Sequence, residues 1–204
     1  MPDFLNVIDD PGLKTFDGKE LVGAYDVDDE GVPEQAVPLV TGGKLQNYLL
    51  GREPVRDFAE SNGHGRAPVA GPARPAIGVM KVTAESGVSD EELNHKLIEM
   101  AKDRGLKCAY YVETLGGAFN PRLLYKINVE DGSRELVRGA VLDDLDQRAL
   151  RSSVEAAGKD LWVANYLGDV PETVLAPALL LSDVTVKRAN EKNEKLPFYP
   201  PPEE

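Results

Sequence analysis

Over its first eighty positions the chain carries its apolar residues in short runs. "FLNVI" (4–8) and "AVPLV" (36–40) are apolar or β-branched, and "DDPG" and "TGG" bound them with Pro and Gly, the pattern of short strands in a meander. "KELVGAY" (19–25) reads as a further strand. Residues 61–75, "SNGHGRAPVAGPARP", break all periodicity and predict a long loop. The period then changes. Leu93, Leu97 and Met100 recur at helical spacing, Ser89 and Glu92 form a capping box, and Gly105 stands at a left-handed C-terminal position, which predicts a helix over 90–104.

Beyond it, "LKCAYYVETL" and "RLLYKINVEDGSRELVRGAV" read as strands, the latter folded at Asp131-Gly132 into a tight hairpin. The acidic start, the spacing of Leu145, Ala149, Leu150 and Val154, and the closing glycine predict a second helix over 143–157. "DLWVANYL" and "PALLLSDVTVKR" supply more strands. The expected fold is α+β: a mostly antiparallel, curled or barrel-like sheet with two helices. It forms one β-rich domain over 1–188, and an extended or mobile charged, proline-rich tail follows over 189–204.

Composition narrows the function. The chain has 204 residues, enough for a sizeable core. With 35 acidic against 23 basic residues its formal charge is −12, and no basic cluster offsets the repulsion of a phosphate backbone, so nucleic acid is not an expected partner. Cys108 is the single cysteine; it excludes an intrachain disulfide, fits a reducing compartment and reads as a small buried apolar residue. "VLAPALLL" is the longest apolar run, too short to span a bilayer. With no basic-then-apolar leader, a soluble cytoplasmic protein without membrane partners is expected.

Candidate chemistry is sparse. His95 lies opposite the leucine face of the first helix with Glu91 and Glu99 four residues to either side, an exposed ion-pairing pattern. "DVDDEG" (26–31) places Asp26, Asp28 and Glu30 at calcium-loop positions, but Val37 occupies the twelfth position and Pro33 intrudes; an acidic turn is the simpler reading. An unrelated enzyme using these acids is a weaker alternative. "SNGHGR" (61–66) is neither a nucleophile elbow nor, with "GGK" at 42–44, part of a phosphate loop. Its asparagine and glycines suit a turn in which His64 and Arg66 hydrogen-bond nearby carbonyls or carboxylates.

In order, "DDP" (9–11), "GAYDVDDEGVP" (23–33), "GGKLQNYLLGREPV" (42–55), "SNGHGR" and "VPETVLAPALLLSDVTV" (170–186) resemble the C-terminal half of the TldD/PmbA family. The resemblance implies zinc-dependent peptidases acting on unstructured peptides, historically called modulators of DNA gyrase, that assemble as dimers around a chamber. It implies a metal on an H-E-x-x-x-H helix ahead of the region resembled, with a cysteine near the C-terminal end. "ANYLGDVPET" (164–173) has no such cysteine, and Cys108 does not correspond to it. The chain is therefore expected to contain no catalytic residue, metal ligand or cofactor of its own, zinc being expected only with an N-terminal family domain. Expected partners are a peptide or unfolded polypeptide, that N-terminal domain or a paralogous subunit, and a second copy in a dimer. Arg52, Asn62, His64 and Arg66 are the candidate peptide- or partner-binding residues. The alternative is a non-enzymatic scaffold or interaction protein of the same fold.

Overall fold

The computed structural model describes residues 1–116, 120–143, 145–146 and 148–189. In chain order the strands are β1 (Leu5–Asp9), β2 (Thr15–Phe16), β3 (Lys19–Glu20), β4 (Val37–Thr41), β5 (Lys44–Leu45), β6 (Gly65–Arg66), β7 (Arg74–Pro75) and β8 (Val79–Ala84). Helix α1 (Asp90–Asp103) follows, then β9 (Cys108–Leu115), β10 (Pro121–Asn128), β11 (Arg134–Val137), β12 (Ala140–Asp143), the single turn α2 (Ala149–Ser152), β13 (Val154–Leu167), β14 (Pro171–Leu181) and β15 (Thr185–Arg188). The chain divides into two compact units, Met1–Leu97 with Asp146–Ser182, and Ile98–Leu145 with Asp183–Glu204.

The first unit is built on a six-stranded sheet in the order β13-β14-β8-β1-β4-β5. Its pairs are antiparallel except β14 with β8, which run parallel. The α+β class holds, but the sheet stays open with β13 and β5 as edges instead of closing into a barrel. Strand β1 alternates buried and half-buried positions, as a sheet with one well-covered face requires. Leu5 packs with Val154 and Ala157, while Leu21, Val79 and Leu175 form a second apolar cluster against which Leu161 and Val163 lie.

Residues 19–25 depart from the expected strand: only Lys19 and Glu20 pair, and the chain then turns. Asn165 explains the departure. Its side-chain carbonyl accepts from the Val22 N–H (3.3 Å) and the Thr173 hydroxyl (2.7 Å), and its amide donates to the Glu20 carbonyl (2.9 Å). Thr173 Oγ1 in turn accepts the Gly23 N–H at 3.0 Å. The Glu20 carbonyl and the Val22 and Gly23 N–H groups are thus satisfied by side chains of β13 and β14 rather than by a ladder.

The expected helix over 143–157 is also corrected. Among the described residues only Ala149–Ser152 are helical, Arg148 provides no side-chain cap, and strand begins at Val154; Asp144 and Gln147 lie outside the described residues. Val154, Ala156 and Ala157 pair with Leu181, Leu180 and Leu179 of β14, so burial in a sheet core overrides alanine's helical preference. "PALLLSDVTVKR" supplies two strands, broken where Asp183 takes a positive φ of 59°.

In the second unit β11, β10 and β9 form an antiparallel sheet, and β12 pairs with β15. The chain does reverse at Asp131-Gly132, with Gly132 at φ 72°, but the turn is wider than the expected tight hairpin: the Asn128 N–H donates to the Ser133 carbonyl and residues 129–132 form the loop. Leu124 and Ile127 are buried, whereas Cys108 is only half-buried and not the buried residue expected. Helix α1 is capped as predicted: Ser89 Oγ accepts the Glu92 N–H at 3.2 Å, and Gly105 (φ 67°) closes the other end while the Leu106 N–H reaches the Ala101 carbonyl. His95 is exposed on it. Of the tail expected over 189–204, residues 190–204 lie outside the described residues.

Candidate functional site

The "SNGHGR" loop does not lie loosely on the surface. His64 is fully buried, and so is Asp9 at the end of β1. One carboxylate oxygen of Asp9 gathers three donors: His64 Nε2 at 3.3 Å and the N–H groups of Gly78 and Val79, each at 3.1 Å. On the other side of the ring, Nδ1 lies 2.9 Å from the Asn62 carbonyl and 3.1 Å from Asn62 Oδ1. Both ring nitrogens thus face oxygens only. A proton on Nε2 is donated to the buried carboxylate, and one on Nδ1 to the Asn62 carbonyl.

Asn62 is itself clamped, its Oδ1 accepting from the Leu50 N–H (2.8 Å) and its amide donating to the Tyr48 carbonyl (2.8 Å). Ser61 Oγ donates to the Leu50 carbonyl and accepts the Gly63 N–H. The acidic turn closes the far side. Asp28, 5% exposed, accepts from the N–H groups of Glu30 (3.0 Å), Val32 (2.8 Å) and Gly65 (2.9 Å). Asp29 accepts from the Arg66 guanidinium (3.2 Å) and the Ala67 N–H (2.7 Å). Arg66 also lies 4.2 Å above the centre of the Tyr25 ring, a cation–π contact.

The loop residues therefore do not share one fate. Asn62 and His64 turn their polar groups to the protein's own backbone and carboxylates, and Arg66 gives its Nε to Asp29 while its Nη1 is buried with no hydrogen-bond partner among the described residues. Arg52 is exposed; its backbone N–H reaches the Glu30 carboxylate and its guanidinium the Glu30 carbonyl at 3.5 Å. The 26–31 segment is a turn, with Gly31 at φ 81°; Asp26 points to Lys14 at 2.8 Å and Asp28 inward to backbone. Among the described residues no three or more His, Cys, Asp or Glu side chains converge as a metal cage needs. His64 and Asp28 have their donor and acceptor positions engaged already, so these residues do not fit a metal.

Sequence reasoning missed Asp9, Asn165 and Thr173. Asp9 was read as part of a turn; its partners are 55 to 70 positions away, beyond any local signal. The one hint is a strand pattern that ends on an acid where the alternation demands an inward residue.

Tyr25 gives a measurable handle. Its hydroxyl donates to the Gly63 carbonyl at 2.9 Å. Burial raises its phenol well above the ordinary value of 10.0, and nearby Asp9 and Asp28 add to the rise against the opposing pull of Arg66. The folded state therefore holds this proton more tightly than the unfolded chain. Its contribution to stability is whole below pH 10 and is lost as pH rises above it. Tyr25→Phe is expected to cost about 1 kcal/mol at neutral pH and to flatten the alkaline fall in stability, both readable from urea unfolding at pH 7 to 11. An unchanged alkaline slope would show that Tyr25 does not carry the effect.

Comparison with known proteins agrees with this architecture. The family described as PmbA/TldA metallopeptidase C-terminal domain matches residues 1–188. Among solved structures, the chain is similar to TldE from Thermococcus kodakarensis (17% identity, TM-score 0.61), covering 91% of this chain and 40% of that one. A candidate modulator of DNA gyrase from Thermotoga maritima (18% identity, TM-score 0.64) is covered to the same extents. A second candidate modulator, from Bacteroides thetaiotaomicron (17% identity, TM-score 0.53), pairs 92% of this chain with 37% of its own. The chain thus spans about two fifths of the length of these structures, and at such identities the likeness is one of fold. No match was found among curated proteins. With the family's domain matched across nearly the whole chain on a fold its solved relatives share, the chain belongs to the PmbA/TldD family, as its C-terminal domain.

Proposed function

We propose that this domain is the peptide- and partner-binding half of a TldD/PmbA-type peptidase assembly, and that it does not hydrolyse peptides alone. Cleavage then belongs to a zinc-bearing N-terminal family domain or paralogous subunit. One observation carries the binding role. Among the described residues strand β13 is an edge of the main sheet, with β14 as its one neighbour in the sheet order. Val88 pairs with the outer side near Gly158, but the stretch from Leu161 to Leu167 contains neither charge nor proline, the usual guards of an open edge. Trp162 is 63% exposed, Tyr166 51% and Leu167 81%. Trp162, Ala164 and Tyr166 alternate with Leu161, Val163 and Asn165, which serve the interior.

Such an edge takes an extended peptide by strand addition: backbone hydrogen bonds supply affinity, and the aromatic side chains grip alternate residues. It equally suits a second copy, so a dimer belongs to the same reading. Arg52 is the loop residue available to touch peptide or partner, while Asn62, His64 and Arg66 hold the loop that carries it. The double variant Trp162→Lys/Tyr166→Lys is expected to weaken binding of an unfolded polypeptide at least tenfold by titration calorimetry, with circular dichroism unchanged. Undiminished binding would remove the edge from the reading. Chelator-sensitive peptide cleavage by the purified chain would overturn the division of labour.

A further inference from the structure

The open stretch of β13 is neutral, but the strand behind it is not. Tyr166 pairs directly with Glu172 of β14, and residues opposed in an antiparallel pair project from the same face of the sheet. Glu172 is half-buried, and its carboxylate makes no hydrogen bond or ion pair among the described residues. Lys81, the one cation of the next strand β8, is in register with Leu175 and therefore stands on the opposite face. Toward Trp162 the neighbours on the face of Glu172 are apolar: Ala164 pairs with Val174 and Trp162 with Ala176. The face beside the edge thus runs from an anionic end at Tyr166 and Glu172 to an apolar end at Trp162.

Resting on the strand-addition reading, we infer that this edge selects extended peptide segments that carry a lysine or arginine beside Tyr166 and apolar residues at alternate positions toward Trp162, with Glu172 as the residue that sets the preference. An added strand lies about 5 Å from β13 and so about 10 Å from β14. A short side chain there does not reach Glu172. The stem of a lysine or arginine can lie along the Tyr166 ring and put its charge next to the carboxylate, the ring itself attracting the cation. A half-buried carboxylate without a partner gains more from such a cation than a fully solvated one, because part of its hydration is already lost. Two residues further along the peptide the side chain points to the same face again, where Ala164 and then Trp162 offer apolar surface. The charge pattern also favours a peptide over a second copy. The 161–167 stretch of another β13 has no cation to offer, so pairing two such edges would leave Glu172 as it is.

The test is titration calorimetry of the full chain with two blocked heptapeptides, Ser-Val-Thr-Lys-Thr-Val-Ser and the same sequence with norleucine in place of lysine. The wild-type chain is expected to bind the lysine peptide about fivefold more tightly, or better. Glu172→Gln should remove that difference by weakening the lysine peptide alone, its unchanged affinity for the norleucine peptide showing that fold and edge are intact. Equal affinities for the wild type, both lowered by Trp162→Lys/Tyr166→Lys, would overturn the preference and leave strand addition standing. Failure of both peptides to bind would overturn the preference together with strand addition. A preference for lysine that survives Glu172→Gln would also overturn the proposal, because the charge of the whole chain and not Glu172 would then be its cause.

Discussion

Replacing His64 by leucine is expected to cost about 3–5 kcal/mol, the range for leaving a fully buried carboxyl group without its side-chain partner. The substitution changes little in volume, so the loss is electrostatic. Asp9 is fully buried, and its second carboxylate oxygen, Oδ2, has no hydrogen-bond partner among the described residues. Without the imidazole its charge would rest on two backbone N–H groups alone. Asn62 would lose the ring that joins it to β1, and the loop would be held to Leu50 by Ser61, Asn62 and the backbone N–H of residue 64. Urea unfolding followed by circular dichroism and by Trp162, the chain's one tryptophan, measures this.

Asp9→Asn separates charge from hydrogen bonding. The amide oxygen still accepts from Gly78 and Val79 while the buried charge disappears, so His64→Leu should cost markedly less in that background. The difference is a coupling energy of about 1–3 kcal/mol, as for neighbours in one network. Additive losses, or a single-variant cost below about 1 kcal/mol, would mean that the pair does not hold the loop.

Features that depend on neighbours in the chain were legible in the sequence, and features that depend on distant partners were not. Helix α1 could be read because its cap, apolar stripe and closing glycine all lie within seventeen positions. The Asp131-Gly132 hairpin could be read because a positive φ needs a local residue type. The 143–157 segment misled because Ala156 and Ala157 favour helix, whereas β14, more than twenty residues later in the chain, decides their state. At the candidate site the loop could be seen, and with it the likelihood that its histidine and arginine would bond nearby carbonyls and carboxylates. What stayed hidden was the destination. Asp9 and Asp28 are ordinary acids until the fold brings Gly78, Val79 and Gly65 to them. An acid that fills a buried position by collecting backbone N–H groups has no signature of its own in composition or spacing.

Gly63→Ala is expected to cost about 3 kcal/mol, close behind the loss of His64, from two sources acting together. Gly63 holds φ at 73°, where an L-residue pays about 1–2 kcal/mol. Its added Cβ would also stand inside van der Waals contact of the Pro33 carbonyl group and 2.9 Å from the Glu34 Cα. Those are backbone atoms, which cannot swing aside like the end of a side chain. The loop has no slack to retreat, because the Gly63 N–H is held by Ser61, its carbonyl by Tyr25, and its neighbours Asn62 and His64 by Leu50 and Asp9. Gly31 supplies the comparison. It too has a positive φ, 81°, yet nothing lies within 4 Å of an added Cβ, so Gly31→Ala should lose only the conformational part, about 1–2 kcal/mol. The gap between the two variants, measured in the same urea titration, isolates the close packing of "SNGHGR" against the acidic turn. Equal costs would mean that the loop yields to a methyl group, and that its polar network is softer than its hydrogen bonds imply.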